Sequence, residues 1–116
     1  MKKRAALFLV LVAVTTAFGP PPEPQAVFAM VDSGNVVGLQ KMVKSGADLN
    51  ARDGQGRSLL IAASSHGFAA MVRYLLSQKA DLDARTVRGE TSLHAAVTNG
   101  DLRTIGLLLQ AGASPR

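Results

Sequence analysis

The chain predicts an all-α solenoid of about three helix-turn-helix units, and three observations carry that prediction. Gly34, Gly67 and Gly100 stand 33 residues apart. The segments Ser45 to Arg52, Gln78 to Arg85 and Ala111 to Ser114 fall in the same register, as do Gly56 and Gly89. Between these markers each unit carries two short stretches of helical apolar spacing and then a turn-rich arm. A fixed period of this length signals a stacked array in which each unit buries an apolar face on its neighbours. Arrays of this kind usually bind other macromolecules and rarely do chemistry.

The chain opens differently. Met1-Lys2-Lys3-Arg4 is a basic start, and Ala5 to Phe18 is a run of 14 apolar or small residues, whereas crossing a bilayer takes about 20. Basic start, short apolar run and small residues make the pattern of a secretory signal peptide. Cleavage after Ala17, with Thr15 two positions before it, divides the chain into a signal peptide over 1–17, a proline-rich linker over 18–24 and a repeat domain over 25–116. Its units span about 25–56, 57–89 and 90–116. Without Lys2, Lys3 and Arg4 the net charge falls from +5 to +2, because Lys+Arg drops from 13 to 10 against 8 Asp+Glu. A nucleic-acid footprint then loses its support, and no nucleic-acid partner is expected. The chain has no cysteine, which excludes disulfides and a lipidated cysteine. The expectation is a protein exported to a bacterial periplasm. The alternative is an uncleaved segment that tethers the domain to the inner membrane.

Within the repeat domain the elements follow in order. The first unit has Gln25 to Met30, then Gly34, then Leu39, Met42 and Val43. The second has Ser58 to Ala63, Gly67, and then Val72, Leu75 and Leu76. In the third, Thr91 is a hydroxyl residue suited to capping a helix, and Gly100 ends that helix. A second helix runs from Leu102 to Gln110, with Ile105, Leu108 and Leu109 at helical spacing. Small side chains at Ala62, Ala63, Ala95 and Ala96 allow the first helices of adjacent units to approach closely.

These residues resemble the ankyrin repeat. Thr91-Ser92-Leu93-His94-Ala95-Ala96 is similar to that family's Thr-Pro-Leu-His-x-Ala signature, and the resemblance covers about residues 24–116. It implies paired antiparallel helices, projecting β-turn fingers and a concave, protein-binding surface. It also implies that His94 is a structural histidine bridging groups of neighbouring units. The departures are Leu59 and Ser92 in place of the signature proline, and Lys79 in place of the arm glycine seen at Gly46 and Gly112. Lys79 is expected in the left-handed backbone region at a cost of roughly 1 kcal/mol. With about three units and no polar capping unit, marginal stability is expected. Leu107 on the last helix is either open, inviting weak self-association, or tucked against Leu76 and Leu109.

Chemistry finds little support. His66 and His94 lie 28 positions apart without a cysteine, which is not metal-ligand spacing, so no metal or cofactor is expected. Asp48, Asp81 and Asp83 recur with the arms, as turn-forming carboxylates do. The glycines follow the repeat and lack the lysine of a phosphate loop. The expected function is therefore a non-catalytic protein-binding module. In an array like this one the fingers carry Arg52, Gln55, Arg57, Arg85, Val87 and Arg88, and the adjacent groove carries Asp32, Ser33, Ser65, His66, Thr98 and Asn99. Arg52 and Arg85, one period apart, should project alike and form with Arg57 and Arg88 an edge of guanidinium groups. Such forks suit a partner with an acidic patch. The competing expectation is that these arginines pair with Asp53, Asp83 and Glu90 on neighbouring fingers.

Overall fold

The computed structural model describes residues 23–113. Six helices appear among them: α1 (Pro24–Asp32), α2 (Val36–Lys44), α3 (Leu59–His66), α4 (Ala69–Ser77), α5 (Ser92–Asn99) and α6 (Leu102–Gln110). They pair as α1/α2, α3/α4 and α5/α6, one pair to each unit. The first helices α1, α3 and α5 stack in one row and the second helices in another. The segment 1–17, expected to be a signal peptide, and the end of the last arm lie outside the described residues.

Each start has a local cause. Pro24, the last residue of the stretch read as a linker, opens α1, where its missing N–H removes no bond. The Ser58 hydroxyl accepts from the Ile61 amide at 3.2 Å and caps α3. At α5 the Thr91 hydroxyl accepts from the His94 amide, and His94 Nδ1 accepts in return from the Thr91 amide at 3.1 Å. His94 thus takes the place that Glu or Gln holds in the usual capping box. Its bonds stay within its own unit, a correction to the inter-unit bridge that the resemblance implied. Asp101 caps α6, accepting from the Arg103 amide and the Thr104 hydroxyl. Gly67 ends α3 at φ 71°. A Cβ there would also sit 2.6 Å from the Asn99 amide oxygen, so backbone conformation and close approach both call for glycine.

The core is continuous through all three units. Val27, Phe28 and Val31 of α1, Leu59 to Ser64 of α3, Met71, Val72 and Leu75 of α4, and Leu93, Ala96 and Leu108 of the last unit are buried. Ala62, Ala63 and Ala96 are fully covered, as the close approach of first helices requires. The far side of the third unit differs from the expected stripe. Leu109 is 49% exposed, whereas its equivalent Leu76 is half-buried against the core. His94 and Val97 are likewise exposed where their equivalents Ile61 and Ser64 are buried. Leu107 is half-buried, packed against the core and also lining a surface trough, so it is partly covered and partly open.

Lys79 adopts φ 63°, the one non-glycine residue with positive φ among those described. Ser92 is buried, and its hydroxyl has no hydrogen-bond partner. Two stability changes follow. Lys79→Gly relieves the left-handed backbone cost and is expected to raise unfolding stability by about 0.5–1 kcal/mol. Ser92→Pro removes the orphaned hydroxyl at a first-turn position whose predecessor, Thr91, is already extended at ψ 176°. It is expected to add a similar amount, about 0.5–1 kcal/mol. Urea midpoints of the two variants against the parent chain check both.

Candidate functional site

The fingers are built by side chains that mimic and tie the backbone. In the first, the Asp53 carboxylate accepts from the amides of Gln55 and Arg57, both at 2.9 Å, and from Arg57 Nε at 2.7 Å. The backbone closes the turn through the Asp53 amide, which donates to the Arg57 carbonyl at 3.0 Å. In the second finger Thr86 stands in register with Asp53. Its hydroxyl accepts from the amides of Arg88 and Glu90, both at 3.2 Å. A carboxylate and a hydroxyl thus make one turn in two chemistries.

Arg52 and Arg85 repeat a single role. Arg52 Nη1 donates to the Gly56 carbonyl at 3.2 Å, and Arg85 Nη1 to the Gly89 carbonyl at 3.0 Å. Arg52 also reaches the next finger, donating to the Arg85 carbonyl at 2.6 Å, and the Val87 amide donates back to the Gln55 carbonyl at 3.1 Å. The fingers lie so close that a Cβ on Gly56 would meet the Val87 amide nitrogen at 3.0 Å. The anticipated pairing with acids on neighbouring fingers does not occur among these residues. Arg57 pairs with Asp53 of its own finger, and the other two arginines use main-chain carbonyls. Arg88 makes no side-chain bond to any described residue.

Two depressions open between the fingers and the first helices. One of about 670 Å3 is lined by Glu23, Phe28, Asp32, Arg52, Asp53 and Arg57, among others. The second, of about 430 Å3, is lined by Gln55, Arg57, Ile61, Ser65, Val87, Arg88 and Glu90, among others. Both include Gly54 and Arg57, so they adjoin at the first finger as a two-part groove. Its charge is mixed, with Glu23, Asp32, Asp53 and Glu90 facing Arg52, Arg57 and Arg88. Val87, 79% exposed, is the aliphatic group at its rim.

His66, Thr98 and Asn99 do not line this groove. His66 Nε2 meets Asp32 Oδ1 at 2.9 Å and its ring stacks on Phe68 with centroids 5.1 Å apart. Asn99 Nδ2 donates to the Ser65 carbonyl at 3.1 Å. These two contacts fall in the same register, each tying the end of one first helix to that of the preceding unit. Thr98 donates to the His94 carbonyl within its own helix. Sequence reasoning missed Glu23, Phe28 and Ile61 as groove residues. Phe28 and Ile61 stand one period apart, and that spacing was the available signal. Among the described residues no group of three or more His, Cys, Asp and Glu could hold a metal ion.

A family model described as ankyrin repeats, in three copies, matches residues 27–116. No curated protein matches the chain.

Asp53 supplies a pH test of the first finger. Burial alone would raise its carboxyl, but the Arg57 guanidinium and the Arg57 and Gln55 amides outweigh that and hold it below the usual carboxylate range. A carboxyl lowered by folding stabilises fully above its unfolded value, about 3.9. The contribution is lost as pH falls through the lower folded value. Asp53→Asn is therefore expected to cost roughly 1–2 kcal/mol at pH 7. The gap to the parent chain should narrow steadily below pH 4, as urea titrations at pH 7, 5 and 3 would record.

Proposed function

The chain belongs to the ankyrin-repeat family, and we propose that it is an exported, non-catalytic module that holds a partner protein in the groove between its fingers and first helices. Ankyrin repeats are generally protein–protein interaction modules. The observation that carries the proposal is the second part of the groove, where Val87 is exposed beside an Arg88 with no side-chain partner among the described residues. The two groups offer an aliphatic contact next to a free guanidinium. A partner segment with a carboxylate beside an apolar side chain complements them, which narrows an acidic patch to one acidic anchor. Arg52, Arg57 and Arg85 serve the same surface indirectly. By tying both fingers in place beforehand they lower the ordering cost of binding.

Export rests on Lys2, Lys3 and Arg4 followed by the apolar run from Ala5 to Phe18, and the periplasm is the compartment proposed. A second reading uses the same residues. If that run is retained, the domain is a scaffold tethered to the inner membrane.

Two measurements test the proposal. Capture from the producing cells with the tagged chain should yield partners that fall about tenfold with Val87→Ser plus Arg88→Glu, while Arg103→Glu on the opposite side leaves them in place. An unchanged set of partners with the finger variant rejects the groove. Intact-mass analysis of the fractionated protein separates the locations. A soluble periplasmic form lacking residues 1–17 supports export, and a full-length membrane form supports the tether.

A further inference from the structure

We propose that the outer face formed by the second helices docks on an anionic lipid membrane surface. The inference is independent of the groove reading and rests on three observations.

Charge is segregated by helix. α2, α4 and α6 carry Lys41, Lys44, Arg73 and Arg103 and no Asp or Glu. The first helices carry Asp32 and no Lys or Arg. Over residues 23–113 nine Lys and Arg stand against eight Asp and Glu, so the cationic face does not follow from net charge. Acids on the adjoining caps and arms serve as backbone acceptors and keep their charge. Asp101 holds its helix cap, and Asp48 and Asp81 on the arms accept the amides of Asn50 and Asp83.

Three of these four cations are also uncommitted. The finger arginines Arg52, Arg57 and Arg85 are held by short intramolecular bonds. By contrast, Lys41, Lys44 and Arg73 make no side-chain bond or ion pair with a described residue. Arg103 lies 3.7 Å from Asp101 with its side chain 81% exposed.

Aliphatic groups stand on the same face. Leu102 is 81% exposed and Val37 61% exposed, both in the first turn of a second helix. Between α4 and α6 runs a shallow trough of about 450 Å3, floored by Ala69, Ala70 and Gly106 and including Arg73 and Arg103. Two guanidinium groups at one shallow trough suit a phosphate headgroup, while Leu102 and Val37 are placed to meet the acyl boundary. Cations spread over three units match a surface charged throughout better than the contour of one protein. Near such a surface each contributes about fivefold in affinity.

The absence of cysteine makes a site-resolved test direct. Ala70→Cys on the outer face and Val87→Cys on the finger, each carrying an environment-sensitive fluorophore, are titrated in the full chain. The vesicles are phosphatidylcholine with or without phosphatidylglycerol. The Ala70 label is expected to shift to the blue with phosphatidylglycerol vesicles only and to lose the shift in high salt, while the Val87 label stays silent. Lys41→Glu combined with Arg73→Glu should weaken this response at least twentyfold, and Arg88→Glu should leave it unchanged. Insertion of the N-terminal run alone, whose Lys2, Lys3 and Arg4 also favour anionic lipid, would leave both labels silent. A silent Ala70 label, an equal response to both lipids, an equal response at Val87, or binding of polyglutamate in place of vesicles overturns the proposal. The labels in the otherwise unaltered chain decide the question even if the charge-reversed variant misfolds.

Discussion

Everything in this domain leans on one helix that is buried on both flanks. From Leu59 to Ser64 every residue of α3 is buried, between α1 of the preceding unit and α5 of the following one. Such contact on both sides requires small side chains where backbones approach, which Ala62, Ala63 and Ala96 supply, and larger ones where the rows diverge, which Leu60, Met71 and Leu75 supply. Interiors are packed like organic crystals, so neither kind can replace the other without strain or a void. The outer helices have one packed side each. Order therefore spreads outward from the middle unit, and the ties of His66 to Asp32 and Asn99 to Ser65 repeat it at each junction.

The fingers show how little of a binding edge is left free once it has been built. Three of four arginines there serve as struts, and their donors end on carbonyls or on Asp53. What remains uncommitted there is a narrow pair, Val87 and Arg88, on a frame fixed in advance. The second helices follow the opposite economy, since their own i to i−4 bonds satisfy the backbone and leave Lys41, Lys44 and Arg73 on their outer side unoccupied. The groove side is thereby electrically mixed and rigid, and the outer side uniform and open.

Much of this was legible in the residues, and the rest has a physical reason for being hidden. The period, the helix spans, the cap at Thr91 and the left-handed backbone at Lys79 are local matters, decided by a few neighbouring residues. The partners of Arg52 and Arg85 were not legible because main-chain carbonyls are present at every position and leave no mark in the sequence. The exposure of Leu109 depends on whether a further unit lies beside it, which helical spacing does not encode. His94 resembled a bridging histidine yet closes its own helix, because Thr91 is three residues away and nothing described lies across from it.

The exposed side of the third unit has a consequence for how such a chain can change length. His94, Val97, Ile105 and Leu109 occupy the places of Ile61, Ser64, Val72 and Leu76, which already grip a neighbour. A copy of residues 57–89 spliced in ahead of the third unit would meet on each side a surface of the kind it was shaped against. Growth by duplication of whole units is thus open to this architecture without new packing having to be invented. The fingers would lengthen in step, each new Arg reaching the carbonyl of the next.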